Sequence, residues 1–143
     1  METYLKFFFS PFHRFRNKKK LGNDAARSFR SGYIVTNETE PQTIADGART
    51  VSVGKRNWEI LKRDLTDVIE VGDDVIKEAL RTLFSLANLK SEPTGALSLG
   101  AVMTDAVRFR DKNVCVVVSG GNVDMTVYQT ILEEKNAAAN KKS

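Results

Sequence analysis

Ser119, Gly120, Gly121 and Asn122 follow directly on an apolar run, Val114 to Val118, in the stretch NVCVVVSGGNVD. A hydroxyl, two residues without side chains and an amide make a loop that can approach a small ligand closely and offer it a donor and an acceptor. In an open parallel sheet, ligands sit beyond the carboxyl ends of the strands, where such a loop would lie. A helix opening after Asn122 would add free N–H groups that favour an anion. The spacing is neither G-x-x-x-x-G-K nor G-x-G-x-x-G. The same residues also fit a plain tight connection, and from shape alone both readings stand.

Other chemistry is scarce. The single histidine, His13, lies among Phe and Arg residues, which argues against a histidine-based metal cluster or catalytic dyad. The single cysteine, Cys115, sits inside the apolar run, so it makes no internal disulfide and is expected to be a small buried hydrophobe. The chain of 143 residues is long enough for one domain with a core. It has no apolar run near the roughly 20 residues of a membrane helix, and a soluble, cytoplasmic protein is expected.

The net charge of +4 is a property of one end. Lys6, Arg14, Arg16, Lys18, Lys19 and Lys20 against Glu2 put +5 in residues 1–20, so the remainder lies near −1 and has no basic excess to attract phosphate. The tail METYLKFFFSPFHRFRNKKK is set apart as a first segment, 1–20, expected to be disordered. A membrane-surface or nucleic-acid patch and an organelle-targeting peptide are the competing readings.

The elements that must position the loop lie in 21–143. NDAARSFRSG reads as a short helix, capped by Asn23 or Asp24 and stopped by Gly32. Residues 36–57 read as loop, WEILKRDL as a helical turn or two, and DVIEV as a short strand. GDDVIKEALRTLFSLANL places Val75, Ile76, Ala79, Leu80, Leu83, Phe84 and Leu86 at helical spacing behind an acidic first turn. EPTGALSLGAVMTDAV reads as a helix rich in small residues, able to approach its neighbours closely. NVCVVV reads as a central strand apolar on both faces, and VDMTVYQTILEEKN as a last helix before AAANKKS frays. Strands alternating with helices predict an α/β fold with a parallel, doubly wound sheet and flanking helices.

The segments NDAARSFRSG, TIADGART, DVIEVGDDVIKEALRTLFSLANLKSEPTGA and KNVCVVVSGGNVD, in this order, resemble the C-terminal part of the fold-type II pyridoxal-phosphate enzymes. Within them the chain is most similar to the threonine dehydratase (threonine ammonia-lyase) and serine racemase group. The similarity runs from Asn23 to Glu134, and EPTGA with SGGNVD forms its most specific pair. The resemblance implies part of the large domain of the tryptophan synthase beta-like fold, and pyridoxal 5'-phosphate as cofactor. It implies that Ser119 hydrogen-bonds the pyridine nitrogen, a neutral partner that makes the ring a modest electron sink. It also implies that Gly120, Gly121 and Asn122 wall the ring, and that Glu92 and Gly47 approach it. Without the resemblance, Glu92 reads as a helix N-terminal carboxylate and Gly47 as a turn glycine.

The chain also departs from that group. The Schiff-base lysine motif and the phosphate-binding glycine tetrad belong to family sequence ahead of this segment, and SFR at 28–30 does not replace the lysine, because Arg30 stays protonated. In racemase-like members a divalent cation is held by a glutamate, a carbonyl and an aspartate. Asp24 matches the aspartate and Gly22 offers the carbonyl, but Lys18 stands at the glutamate position, so metal is not expected. Three expectations follow: a fragment of a threonine or serine dehydratase, inactive alone; a C-terminal piece of a dehydratase or serine racemase, completed by a split partner, a homo-oligomer or a full-length homologue; or a binding module with a basic membrane- or nucleic-acid-binding tail.

Overall fold

The computed structural model describes residues 7–12 and 23–140. The chain divides into two compact units, with the boundary between Asp73 and Asp74.

In the first unit, β1 (Phe7–Phe12) pairs in parallel with β2 (Asp67–Gly72), from Phe7 opposite Asp67 to Phe12 opposite Gly72. β2 buries Val68, Ile69 and Val71. Helix α1 (Asp24–Ser31) carries Asp24 in its first turn and Arg30 in its last, which suits the helix dipole. Gly32, at φ 79°, ends it in the left-handed region where a side chain would be strained. Asn23 precedes the helix, but its side chain does not cap it. The amide donates instead to the Glu70 carboxylate at 3.3 Å, and Arg30 reaches the same carboxylate at 2.6 Å, tying α1 to β2. The long connection that follows is irregular except for a 3-10 turn at Asp46–Ala48. It is pinned by Asn37 N–H to the Val51 carbonyl and by the Thr43 hydroxyl to Asp73. Helix α2 (Lys55–Asp64) is longer than the turn or two expected, and buries Trp58.

In the second unit, α3 (Asp73–Ala87, its first residue on the other side of the boundary) buries Ile76, Ala79, Leu80 and Leu83 of the expected stripe, while Val75 is half-buried and Phe84 and Leu86 are exposed. Full burial of a side chain such as Ile76 or Leu80 contributes roughly 1.5–3 kcal/mol. Asn88, at φ 54°, turns the chain out of the helix through the left-handed region, and the Leu89 N–H donates back to the Leu83 carbonyl. The expected small-residue helix is divided: a 3-10 turn at Thr94–Ala96, then α4 (Leu97–Thr104) and the short α5 (Ala106–Phe109). Gly95, Ala96, Ser98, Gly100 and Ala101 are all buried, as close approach demands. Helix α6 (Met125–Asn140) is held to α3 by the Lys77–Glu134 ion pair and by Arg81, whose Nε donates to the Ile131 carbonyl.

Four expectations are corrected. Within the tail expected to be disordered, Phe7–Phe12 form β1; the rest of residues 1–20 lie outside the described residues. Ala137–Asn140 continue α6 rather than fray. NVCVVV is not a strand: residues 113–124 have no regular structure, and within its own unit no described strand is there to pair with it. Cys115 is accordingly exposed rather than buried. The α/β class holds as a partial fold, two parallel strands with helices.

Candidate functional site

The loop Ser119–Asn122 is held from one side by the segment Ser91–Gly95. Glu92 N–H donates to the Gly120 carbonyl at 3.3 Å, and the Glu92 carboxylate accepts from Asn122 N–H at 3.2 Å. Gly95 lies so close beneath that a methyl group on it would overlap the Ser119 carbonyl. Gly120 has φ 71°, and a Cβ there would come within 2.5 Å of the Glu92 carboxyl carbon. Gly121 is less constrained, its nearest neighbour being the Lys90 carbonyl at 3.1 Å. One turn on, Ser98 of α4 donates to the Val117 carbonyl at 2.7 Å. The two motifs EPTGA and SGGN thus interlock: glycine is needed at 95 because a Cβ would meet the Ser119 main chain, and is favoured at 120 because the backbone there is left-handed, whereas the Glu92 side chain could move aside.

The Ser119 side chain is left over from this interlocking. Ser119 is exposed, and its hydroxyl has no hydrogen-bond partner among the described residues. It can donate or accept, on a loop whose next two residues offer no side-chain obstruction. The anion-cradle reading loses its main donors. The Asp124 carboxylate accepts from Thr126 and Val127 N–H at 2.9 and 3.1 Å, capping α6 with the protein's own anion.

Glu92 therefore faces the loop backbone. Asn122 is fixed by its N–H and is exposed. Gly47 and Asp24 belong to the first unit. Gly47 is an exposed residue of the 3-10 turn, its N–H donating to the Asp46 carboxylate at 2.9 Å. Asp24 is buried and accepts from the Asn37 amide at 3.2 Å; burial raises its pKa above the ordinary carboxylate value, and the Asn37 bond opposes that rise. Among the described residues no three His, Cys, Asp or Glu side chains are grouped to hold a metal ion. Ser98 and Asp124 were not singled out as site residues in the sequence. The small-residue run was the signal for Ser98, and an aspartate just before an amphipathic run was the signal for Asp124.

The model of the pyridoxal-phosphate dependent enzyme family matches residues 18–120. The chain belongs to this family. It is 38% identical over 114 residues to an L-threo-3-hydroxyaspartate ammonia-lyase of Pseudomonas sp, which covers 80% of the chain and 35% of that relative. With the serine racemase of Schizosaccharomyces pombe it is 36% identical, over 80% of the chain and 35% of the racemase. Its fold superposes on that of a threonine deaminase from T.th. with a TM-score of 0.69 and 39% identity, covering 72% of this chain and 37% of the deaminase. The chain thus spans about a third of the length of the curated relatives it matches.

Family membership brings pyridoxal phosphate as the group to be fitted. The exposed Ser119 hydroxyl, without a partner among the described residues, suits a ring nitrogen, while the space a side chain would take at Gly120 and Gly121 is bounded by the Glu92 carboxylate and the Lys90 carbonyl. The residues present fit that edge of the cofactor.

Proposed function

We propose that this chain supplies the ring-nitrogen side of the cofactor site in an ammonia-lyase that converts L-threonine or L-serine to a 2-oxo acid and ammonia. Ser119 carries the reading: its hydroxyl is exposed and without a partner among the described residues, and the resemblance of SGGN to the family implies it as the partner of the pyridine nitrogen. The bound cofactor supplies an electron sink for the α-carbon of an amino acid. Ser119 would hold the ring nitrogen by one neutral hydrogen bond, and Gly120 and Gly121 would help to wall the ring. Glu92 keeps the loop in shape by accepting from Asn122. The names of the similar proteins support a 3-hydroxy amino acid as substrate, since hydroxyaspartate, serine and threonine all bear a hydroxyl one carbon from the α-carbon.

In this reading the covalent lysine and the phosphate cradle come from polypeptide outside these 143 residues, so the chain by itself is inactive, and the completed enzyme works in the cytoplasm. Borohydride reduction of the isolated chain with pyridoxal phosphate should label no single lysine preferentially; a stoichiometric adduct at one lysine would contradict the reading. Co-expression with the lysine-bearing N-terminal part of the Schizosaccharomyces pombe racemase should yield 2-oxo acid and ammonia. Ser119→Ala should lower that activity about tenfold, the effect of one lost hydrogen bond. Undiminished activity in Ser119→Ala would rule out the assigned role.

A further inference from the structure

Several hydroxyls on the helices bond within their own turn. Ser28 of α1, Ser85 of α3, Thr104 of α4 and Thr130 of α6 each donate to the carbonyl four residues back, at 2.6–2.8 Å. Ser98 of α4 does not. It is buried, and its hydroxyl reaches instead to the Val117 carbonyl, nineteen residues on, at 2.7 Å. That bond completes a register. Glu92 N–H meets the Gly120 carbonyl, Gly95 meets the Ser119 carbonyl and Ser98 meets the Val117 carbonyl, so segment 92–98 advances as the chain opposite retreats. Three residues of helix rise about 5 Å and two of extended chain about 6.6 Å, so the last two contacts keep step.

We propose that Ser98 is a positioning residue for Ser119, aiming the Ser119 hydroxyl at the ring nitrogen through the Val117 carbonyl, a role that rests on the reading above and deepens it. Cys115, Val117 and Ser119 are exposed while Val116 and Val118 are half-buried, the alternation of extended chain, so the side chains of 117 and 119 leave on the same side. Rotating the chain about its own axis at Val117 therefore carries the Ser119 hydroxyl with it. The contacts of Gly95 and Glu92 fall at Ser119 and beyond it. Among the described residues, the bond from Ser98 is the one hydrogen bond that holds the backbone of residues 114–118, just ahead of Ser119. Gly120 and Gly121 follow, and glycines resist such a rotation less than any other residue. A hydroxyl without a partner of its own takes its direction from the main chain that bears it, and Ser98 is the side chain that fixes that main chain.

Ser98→Ala removes the donor and leaves a good helix former, while Ser98→Thr keeps a hydroxyl at the same place. In the full 143-residue chain, amide relaxation measured by NMR should give Ser119 an order parameter of about 0.85 in the native protein and in Ser98→Thr, falling below about 0.6 in Ser98→Ala. The second measurement uses the enzyme completed by co-expression and loaded with pyridoxal phosphate isotope-labelled at the ring nitrogen. The ring-nitrogen resonance should move in Ser98→Ala at least half of the way to its position in Ser119→Ala, and return in Ser98→Thr. A residue that merely supported the fold would lower stability and leave this resonance in place. A Ser119 amide already mobile in the native chain, or equally ordered in Ser98→Ala, would overturn the proposal. So would a ring nitrogen that responds to Ser119→Ala and ignores Ser98→Ala, a result that leaves the reading of Ser119 intact. A ring nitrogen indifferent to Ser119→Ala overturns that reading and the role of Ser98 with it.

Discussion

Gly95 meets the carbonyl of Ser119 with no room for a methyl group between them. The contact is backbone against backbone, so neither side can yield by changing a rotamer. Gly95→Ala should therefore destabilise the chain by about 1–3 kcal/mol, the usual cost of forcing an extra carbon into a packed site. Urea denaturation followed by Trp58 fluorescence would measure it, and a change under about 0.5 kcal/mol would show that the loop moves freely.

Glu92 and Gly120 test the other half of the interlock. Gly120→Ala adds left-handed strain of roughly 1–2 kcal/mol and a clash with the Glu92 carboxyl group. In the double variant Glu92→Ala/Gly120→Ala the clash is gone and the strain persists. The double-mutant cycle should show a coupling of about 0.5–1 kcal/mol, with the two changes together costing less than their sum.

Tyr128 of α6 is buried with its ring edge-on to Phe84, centroids 5.8 Å apart, and its hydroxyl has no hydrogen-bond partner among the described residues. Tyr128→Phe should leave stability unchanged or raise it by up to about 1 kcal/mol, because a buried hydroxyl without a partner forfeits hydration for nothing. Burial raises the Tyr128 pKa above its ordinary value of 10. Below pH 10 the phenol is protonated in both folded and unfolded chains. Above it the unfolded chain ionises first, so stability falls as pH climbs toward the raised folded value. Alkaline denaturation curves should separate the native chain from Tyr128→Phe in that window, the variant losing less.

Cys115, exposed on the unpaired run, should react with a thiol reagent such as Ellman's reagent in the absence of denaturant. Burst labelling of one thiol per chain is the expected outcome. Labelling that requires unfolding would show the run to be covered.

Ser119→Ala should leave the denaturation midpoint within about 0.5 kcal/mol of the native chain, since the hydroxyl is exposed and bonds to nothing described. A stability loss comparable to that of Gly95→Ala would make Ser119 a structural residue.

Much of this was legible because it is local. The helical stripe of α3, the stop at Gly32 and the short strand DVIEV follow from side-chain period and from glycine's freedom at positive φ. EPTGA and SGGN were recognisable as a pair, and the small residues around Gly95 announced close packing without saying against what. What sequence could not give was pairing. NVCVVV has the composition of a central strand, yet composition supplies no neighbour, and Cys115 inherits its exposure from that lack. Phe7–Phe12 show the converse: a segment set aside for its charge and aromatic content acquires a strand because β2 offers it an edge. The direction of the Glu92 carboxylate, toward Asn122 rather than into a ligand space, depends on a loop thirty residues away and was beyond any local rule.

The bond from Ser98 to the Val117 carbonyl, together with the contacts of Gly95 and Glu92, means that the loop is gripped by its main chain and very little by its side chains. Mutational tolerance should then be lopsided. Stability should tolerate change at Asn122 and suffer most from change at Gly95, which lies outside the loop, and at Gly120 within it. A saturation library should therefore register the shape of this loop at Gly95, outside it, as clearly as at Gly120.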